Sequence, residues 1–245
     1  MMKDLLKRVA RRFGVNFCST DHLGVNVEID LTRLTAVDPL RRIFDVGGNF
    51  GQTAVRFASA FPDATIFTFE PIPESFARLQ KAVQRHPRIK PFNTALGDTM
   101  GSIAMHLTPS AGTNTILPNS AAIKRIDIPI DTIDSFAAAN VVETIDLLKI
   151  DVEGYELQVL KGAEQMLNRG GVRYVFAECV LPSDAESPHT SFFDLHQKLD
   201  QHGFCFVTYY GEAFRLRDGC ALGNVLYALR SKLPDRASGG ILNIA

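Results

Sequence analysis

Ionisable side chains are concentrated in the segment LLKIDVEGYEL, which spans residues 147–157. Lys149 and Asp151 fall at the end of an apolar run with the pattern of a buried strand, and Glu153 follows two residues later. Carboxylates at the end of a strand can accept a proton from a substrate. Gly154 permits a sharp turn into the next element. The pattern therefore predicts a catalytic segment in which Asp151 or Glu153 accepts a proton.

Three residues near this segment are candidates for supporting roles. Glu178 ends the next apolar run, VFAEC, and is predicted to assist catalysis or to orient a substrate. Lys149 is expected to pair with one of the acids, and Glu156 is expected on the solvated face of the following helix. His189, in the loop PSDAESPHT, has an imidazole suited to proton transfer near neutral pH, but a surface position explains it more simply.

A glycine-rich turn precedes this segment in the chain. IFDVGGNFGQTA, at residues 43–54, places three glycines between a predicted strand and a predicted helix, namely Gly47, Gly48 and Gly51. Glycines at such a turn let the backbone approach a cofactor closely. A dinucleotide fingerprint requires a glycine where this chain has Val46. Asp45 and Asn49 instead suit the ammonium of an amino-acid tail, while loop N–H groups suit its carboxylate, as in S-adenosylmethionine.

Glu70 is the second predicted cofactor contact. It ends the strand-like run TIFTFEP, 19 residues beyond Gly51, where a carboxylate can accept hydrogen bonds from the two ribose hydroxyls. Pro71 and Pro73 hold the following chain extended and keep this carboxylate at the strand tip. Asp98, in TALGD, is a weaker candidate for the adenine amine, since an aspartate before a glycine also suits a turn.

Strands and helices alternate along most of the chain. Strands are predicted at 42–46, 65–69, 89–95, 145–150 and 172–177, and helices at 52–61, 74–85, 155–168 and 191–202. An extra strand in GDTMGSIAMHL, then RIDIPID with a short helix, interrupt the alternation. FCFVTYY and NVLYAL can pair as an antiparallel hairpin. The predicted fold is α/β: a doubly wound, Rossmann-like sheet, mainly parallel, with an antiparallel hairpin at its edge.

The motifs in this order resemble those of one known family. FDVGGNFG, FEP, NTALGD and LLKIDVEGYELQVLKGA resemble the FkbM family of class I S-adenosylmethionine-dependent methyltransferases, over about residues 40–230. The resemblance implies O-methylation of a hydroxyl on a sugar, glycan or polyketide-like natural product, with S-adenosyl-L-methionine as the cofactor. Most members have alanine at the position of Gly48, and we expect this exchange of small residues to leave cofactor binding intact.

Other classes of function remain open at this point. A nucleotide-binding oxidoreductase would have to bind nicotinamide despite Val46, and a non-catalytic module would bind S-adenosylmethionine for a partner without transferring its methyl group. Asp151 and Glu178 could hold a divalent metal as hard oxygen ligands. A clear third ligand is missing from the sequence, so we predict no metal site.

Composition restricts the partners and the compartment. The chain has 245 residues, with 26 basic and 27 acidic side chains, and this balance does not favour nucleic acid. Four cysteines without C-x-x-C spacing favour a reducing, cytoplasmic location. No segment is long and apolar enough to span a membrane. We expect a small or lipid-carried acceptor, recognised by the loops SAGTNTILPNS and LPSDAESPHTS, with Asn114 and Thr115 as contacts.

The sequence predicts one domain with two appendages. Residues 39–233 form the predicted methyltransferase domain. Residues 1–38 form a lead-in that begins with a basic amphipathic helix, MMKDLLKRVARRFG, which packs on the domain or, less simply, contacts a membrane surface or a partner. Residues 234–245 have the composition of a flexible tail.

Overall fold

The computed structural model describes residues 22–109, 113–118, 120–181, 189–215 and 220–233. The predicted N-terminal basic helix and the predicted flexible tail lie outside these residues.

In the described residues, the central sheet has seven strands in the order β3-β2-β1-β7-β8-β10-β9. β10 runs antiparallel to both of its neighbours, and the other pairings in the sheet are parallel. The predicted doubly wound sheet and its antiparallel hairpin are confirmed. In this hairpin β9 is the edge strand of the sheet, and β10 lies between β8 and β9. The strands are Arg42–Val46 (β1), Thr65–Phe69 (β2), Ile89–Phe92 (β3), Ile145–Ile150 (β7), Val172–Leu181 (β8), Phe204–Arg215 (β9) and Cys220–Leu229 (β10).

Helices cover both faces of this sheet, since each parallel crossover needs an intervening element. Side-chain oxygens of Asn26, Thr132 and Ser191 cap three of them by accepting a hydrogen bond from a first-turn N–H. The helices are Val27–Leu34 (α1), Gln52–Ala60 (α2), Pro73–Val83 (α3), Ile133–Ala139 (α4), Glu156–Lys161 (α5), Glu164–Asn168 (α6) and Phe192–Gln201 (α7). None of the helices that the structure describes is long and apolar enough to cross a membrane.

A second sheet covers the carboxyl edge of the first. Its three strands, in the order β4-β6-β5, are Ala95–Leu96 (β4), Gly101–Leu107 (β5) and Lys124–Asp131 (β6). They form the segments that interrupt the strand-helix alternation in the sequence. Met105, Ile128 and Ile130 are buried in a small apolar cluster that also contains Ile72 and Tyr155, from the loops after β2 and β7. The second sheet therefore contributes one wall above the strand tips.

The lead-in before β1 is part of the domain, which differs from the predicted boundary at residue 39. Leu31 of α1 is fully buried in the core cluster on one side of the sheet. Asp30 is also buried, and it accepts hydrogen bonds from Gly24 N at 2.8 Å and from the Tyr210 hydroxyl at 2.7 Å. These contacts join α1 to β9, so the domain begins upstream of α1.

The predicted helix over residues 155–168 is instead two helices, separated at Gly162 and Ala163. A Cβ atom on Gly162 would lie 1.8 Å from the carbonyl oxygen of Gly97, which belongs to the NTALGD motif. The helix can approach the β4 segment this closely because residue 162 has no side chain. Two motifs that are 65 residues apart in the sequence are thus in backbone contact.

We predict that Gly162→Ala lowers the free energy of unfolding by about 3 kcal/mol, because the added methyl group overlaps a buried carbonyl. Gly170→Ala is the matched control: its Cβ meets nothing nearer than Leu229 Cδ2 at 3.5 Å, and its positive φ of 67° costs about 1 kcal/mol. Urea unfolding followed by circular dichroism measures both. Equal losses in the two variants would contradict the proposed contact.

Candidate active site

A cleft of about 290 Å³ opens where β1, β2 and β7 end, between the two sheets. Parallel strands present their carboxyl ends at the same edge, which is where ligands bind in folds of this class. Four acidic side chains line the cleft: Glu70, Asp151, Glu153 and Glu178. The predicted catalytic and ribose-binding acids therefore share one cavity.

Lys149 is the buried cation behind this cleft, and only 3% of it is exposed. Its ammonium donates a hydrogen bond to the Gly47 carbonyl at 2.9 Å and lies 3.2 Å from Asp45 Oδ1 and 3.4 Å from Asp151 Oδ2. Burial alone would lower the pKa of Lys149, but the charges of Asp151 and Asp45 outweigh burial and raise it. The lysine therefore stays charged and joins β1, the glycine loop and β7.

Asp45 does not reach the cleft. It is fully buried, and its second carboxylate oxygen accepts a hydrogen bond from the Thr68 hydroxyl at 2.8 Å. The sequence prediction was that Asp45 contacts the cofactor ammonium directly or through water. The structure instead places it behind the glycine loop as a partner of Lys149, so its contribution is to hold that lysine.

In the glycine loop, neighbouring atoms leave no room for a Cβ atom on Gly47 or Gly48. A Cβ on Gly47, whose φ is 82°, would lie 1.8 Å from the carbonyl oxygen of Asp151. A Cβ on Gly48 would lie 2.2 Å from the Thr68 hydroxyl oxygen, the group that binds Asp45. An alanine at position 48 would therefore require movement of Thr68 or of the loop.

Asn49 and Gly51 complete the loop. Asn49 has a positive φ of 45° and lines the cleft. Its side-chain oxygen is buried and has no hydrogen-bond partner among the residues that the structure describes. Gly51, with a φ of 89°, is the N-cap of α2. The loop therefore offers an unused acceptor at the cleft wall.

Glu70 lies at the tip of β2, as predicted, and is 5% exposed. One carboxylate oxygen accepts from Asn49 N at 3.0 Å and the other from Ile72 N at 2.9 Å. Each oxygen retains a lone pair for a ligand hydroxyl. Burial raises the pKa of Glu70 to about 7, and these two backbone hydrogen bonds limit the rise.

Asp98 lies apart from the cleft wall. It is exposed, and its carboxylate accepts a hydrogen bond from the Tyr155 hydroxyl at 3.4 Å. Ala95 and Leu96 of the same motif line the cleft instead. These two residues were not predicted from the sequence, because the search for cofactor contacts considered side chains that form hydrogen bonds. Apolar residues on a short strand have no sequence pattern that marks them as ligand contacts.

Glu153, Glu178 and His189 form a compact group beside Asp151. His189 Nδ1 lies 3.5 Å from Glu178 Oε2 and 4.0 Å from Glu153 Oε2. Interaction with Glu178 raises the pKa of His189, although burial opposes the rise. Burial, followed by repulsion from Glu178 and Asp151, raises the pKa of Glu153 to about 8. His189, which the sequence placed most simply at the surface, therefore belongs to the candidate site.

Glu156 is buried, with 1% exposed, so its predicted position on a solvated helix face is wrong. One carboxylate oxygen accepts from the N–H groups of Val152 at 3.1 Å and Gly154 at 3.2 Å. The other accepts from the Thr190 hydroxyl. Burial raises the pKa of Glu156. This carboxylate joins the turn that carries Glu153 to the segment that carries His189.

The predicted acceptor contacts have different positions. Asn114 lines the cleft, together with Ile116 from the same loop and Met105 of β5. Thr115 is buried, and its hydroxyl donates to the Glu153 carbonyl at 2.8 Å. Thr115 therefore supports the positive φ of 55° at Glu153 rather than facing the cavity.

Comparison with known proteins agrees with this geometry. Residues 45–206 match the family model described as "Methyltransferase FkbM domain". This chain is a member of the FkbM methyltransferase family. The match covers more than half of the chain and includes the glycine loop, Glu70 and the whole KIDVEG segment. The predicted enzyme class and the predicted cofactor, S-adenosylmethionine, are thereby confirmed, and the nucleotide-binding oxidoreductase is set aside.

Individual relatives are similar over part of their length. The methyltransferase is 30% identical to the 2-O-methyltransferase NoeI of Sinorhizobium fredii over 175 residues, covering 65% of this chain and 70% of NoeI. It is 33% identical to the hexuronic acid methyltransferase AglP of Haloferax volcanii over 140 residues, covering 56% of this chain and 54% of AglP. Among solved structures, magnesium protoporphyrin IX methyltransferase from Synechocystis PCC 6803 superposes with a TM-score of 0.48 and 11% identity, over 91% of this chain and 90% of that one.

The hydrogen-bond acceptors and apolar side chains of the methyltransferase cleft fit S-adenosylmethionine. The Glu70 carboxylate suits the ribose hydroxyls, and the buried, unsatisfied Asn49 oxygen suits the ammonium of the amino-acid tail. The apolar residues Ala95 and Leu96 suit a flat purine ring. Asn49 and Glu70 follow β1 and β2, and Ala95 and Leu96 form β4 of the second sheet.

We predict that Glu70→Ala weakens S-adenosylhomocysteine binding about 100-fold, since two hydrogen bonds to a charged carboxylate contribute roughly 1.5 kcal/mol each. Isothermal titration calorimetry measures the affinity. Glu74→Gln, an exposed acid in the next helix, is the control and should bind normally. Unchanged affinity in a folded Glu70→Ala variant would exclude the ribose role.

The affinity for S-adenosylhomocysteine should also depend on pH through the ionisation of Glu70. The ionised carboxylate is the better acceptor, and the pKa of Glu70 is raised to about 7 in the free protein. As pH falls through that value, a proton must be released on binding, so the affinity should fall by up to about tenfold per pH unit. Glu70→Gln should remove this slope. A slope that persists in Glu70→Gln would assign it to another group.

For the hydrogen bond between Glu156 and Thr190, the informative variant is Thr190→Val, which keeps the side-chain shape and removes the hydroxyl. We expect a fall in kcat of about tenfold or more, because misplacement of catalytic groups is costly, with S-adenosylhomocysteine affinity unchanged. Thr144→Val, at an exposed threonine, is the control. A normal kcat in Thr190→Val would limit Glu156 to a structural role.

Proposed function

We propose that this methyltransferase transfers a methyl group from S-adenosylmethionine to a hydroxyl of a sugar or glycan. The observation that carries the proposal is the convergence of Asp151, Glu153 and Glu178 on the cleft that also contains Glu70 and Asn49. The names of the relatives NoeI and AglP support a sugar-like acceptor. A hydroxylated polyketide-like acceptor offers the same nucleophile and belongs in the same assay.

Methyl transfer to an alcohol requires that the protein align the two reactants and provide a proton acceptor. Bound S-adenosylmethionine supplies an electrophilic methyl group: an oxygen–carbon bond forms while the carbon–sulfur bond breaks, and its electron pair stays on sulfur. The leaving sulfide needs no proton, whereas an alcohol is a weak nucleophile until its proton is partly removed. A cleft with several carboxylates meets that requirement.

Asp151 is the proposed proton acceptor. Its side chain is 39% exposed within the cleft, and Lys149 lies 3.4 Å from one of its oxygens. The ion pair holds the carboxylate in place, and the close backbone contact between Gly47 and Asp151 keeps it beside the cofactor loop. Glu178 is more deeply buried in the cleft wall, where it can orient the acceptor hydroxyl.

We predict that Asp151→Asn lowers kcat by at least about 100-fold and leaves S-adenosylhomocysteine affinity within a few-fold of wild type. Asp127→Asn, at an exposed position on β6, is the matched control. The assay is transfer of a labelled methyl group to a panel of neutral sugars, uronic acids and hydroxylated polyketides. Near-normal turnover of Asp151→Asn would remove this residue from catalysis, and labelling of none of the acceptors would contradict the proposed function.

A further inference from the structure

The group formed by Glu153, Glu178 and His189 has the spacing of metal ligands. One side-chain donor atom from each residue lies within 4.8 Å of the other two. Divalent cations bind oxygen and nitrogen at about 2.0–2.4 Å, which places neighbouring donors roughly 3 Å apart and opposite donors roughly 4–5 Å apart. The distances of 3.5 and 4.0 Å from His189 Nδ1 to the two carboxylates fall in this range.

A second observation concerns the burial of Glu178. Glu178 is 8% exposed, and its buried Oε2 atom accepts no hydrogen bond in the part of the chain that the structure describes, although His189 Nδ1 lies 3.5 Å away. Its side chain lines the cleft. A buried carboxylate oxygen without a donor is costly, so the site calls for a positively charged or donating ligand.

The charge of the cleft favours a cation as that ligand. Among the described residues that line it, four are acidic and none is lysine or arginine. The nearby charge of Lys149 is already shared between Asp45 and Asp151. A bound cation would reduce the mutual repulsion of the carboxylates that line the cleft.

We propose that Glu153, Glu178 and His189 bind one divalent cation of the Mn²⁺ or Mg²⁺ class, which in turn binds the hydroxyl to be methylated. Two carboxylates and one imidazole are suitable ligands for such a cation, and three protein ligands leave positions open for an acceptor and water. This role of the cation rests on the proposed function. Asp151 is not among the ligands, because Lys149 holds it, and it remains the proton acceptor.

The proposal differs from the metal alternative considered from the sequence, which paired Asp151 with Glu178. Lys149 lies 3.2 Å from the fully buried Asp45 on the neighbouring strand and 3.4 Å from Asp151, so Asp151 is already paired with a cation. Glu153 takes the second carboxylate position instead, and the third ligand is His189, 11 residues after Glu178. A cation there would also place positive charge where the carboxylate of a uronic acid acceptor could bind.

Binding of Mn²⁺ tests the site. Chelator-treated full-length chain is titrated with Mn²⁺, and the free ion is followed by electron paramagnetic resonance. We expect one Mn²⁺ per chain, and at least tenfold weaker binding in Glu178→Gln and in His189→Ala, with Glu74→Gln as the control. S-adenosylhomocysteine binding establishes that each variant is folded. A wild-type chain that binds no Mn²⁺ below about 1 mM, or variants that bind as well as wild type, would overturn the proposal.

Methyl transfer with and without the cation separates this proposal from the proposed function. Turnover that is lost in metal-free protein and restored by Mn²⁺ supports both. Full turnover in protein shown to be metal-free overturns the cation and leaves the proposed function standing. Binding of Mn²⁺ through the three residues, with no methyl transfer to any acceptor in the panel, supports the cation site and counts against the proposed function.

Discussion

The buried ammonium of Lys149 is the interaction on which the site depends. It lies between two carboxylates, Asp45 and Asp151, and a carbonyl of the glycine loop, so one charge holds three elements in register. A buried ion pair adds little net stability, yet removing one member leaves an uncompensated charge and is costly. Thr68 completes the arrangement by donating to Asp45. The cofactor loop and the catalytic segment are consequently positioned as a unit.

The parts of the fold that could be predicted are those in which local pattern determines structure. β1, β2 and β7 are each short and mainly apolar, and the glycine loop and Glu70 directly follow β1 and β2, so their positions at strand tips could be inferred. The burial of Glu156 could not be inferred from the sequence, because its carboxylate binds the hydroxyl of Thr190, which is 34 residues away in the chain. The contacts of Asp45 with Lys149 and Thr68 could not be predicted for a related reason: an acid at a strand tip can face the cleft or a neighbouring strand, and periodicity does not distinguish the two.

Backbone proximity explains why this chain has glycine at positions 47 and 162. Gly47 lies against the carbonyl of Asp151, and Gly162 lies against the carbonyl of Gly97. Three motifs that are separate in the sequence are in this way packed against one another around the cleft. Side chains of Glu156, Thr190 and Thr115 then fix the turn that carries Glu153, which has a backbone conformation that residues other than glycine rarely adopt. Strain of this kind is typical of functional sites, where surrounding contacts maintain it.

The position of β10 has a consequence for synthesis. β10 is translated after β9 but pairs on one side with β8, where Asn224 lies opposite Glu178. On the ribosome, β8 therefore presents an open edge until residues 220–229 leave the exit tunnel. An unpaired edge strand is a template for incorrect pairing, so a nascent chain stalled before β10 is at risk of aggregation. Glu178, which lines the cleft, reaches its final environment only when β10 enters the sheet. The active site is therefore completed late in synthesis.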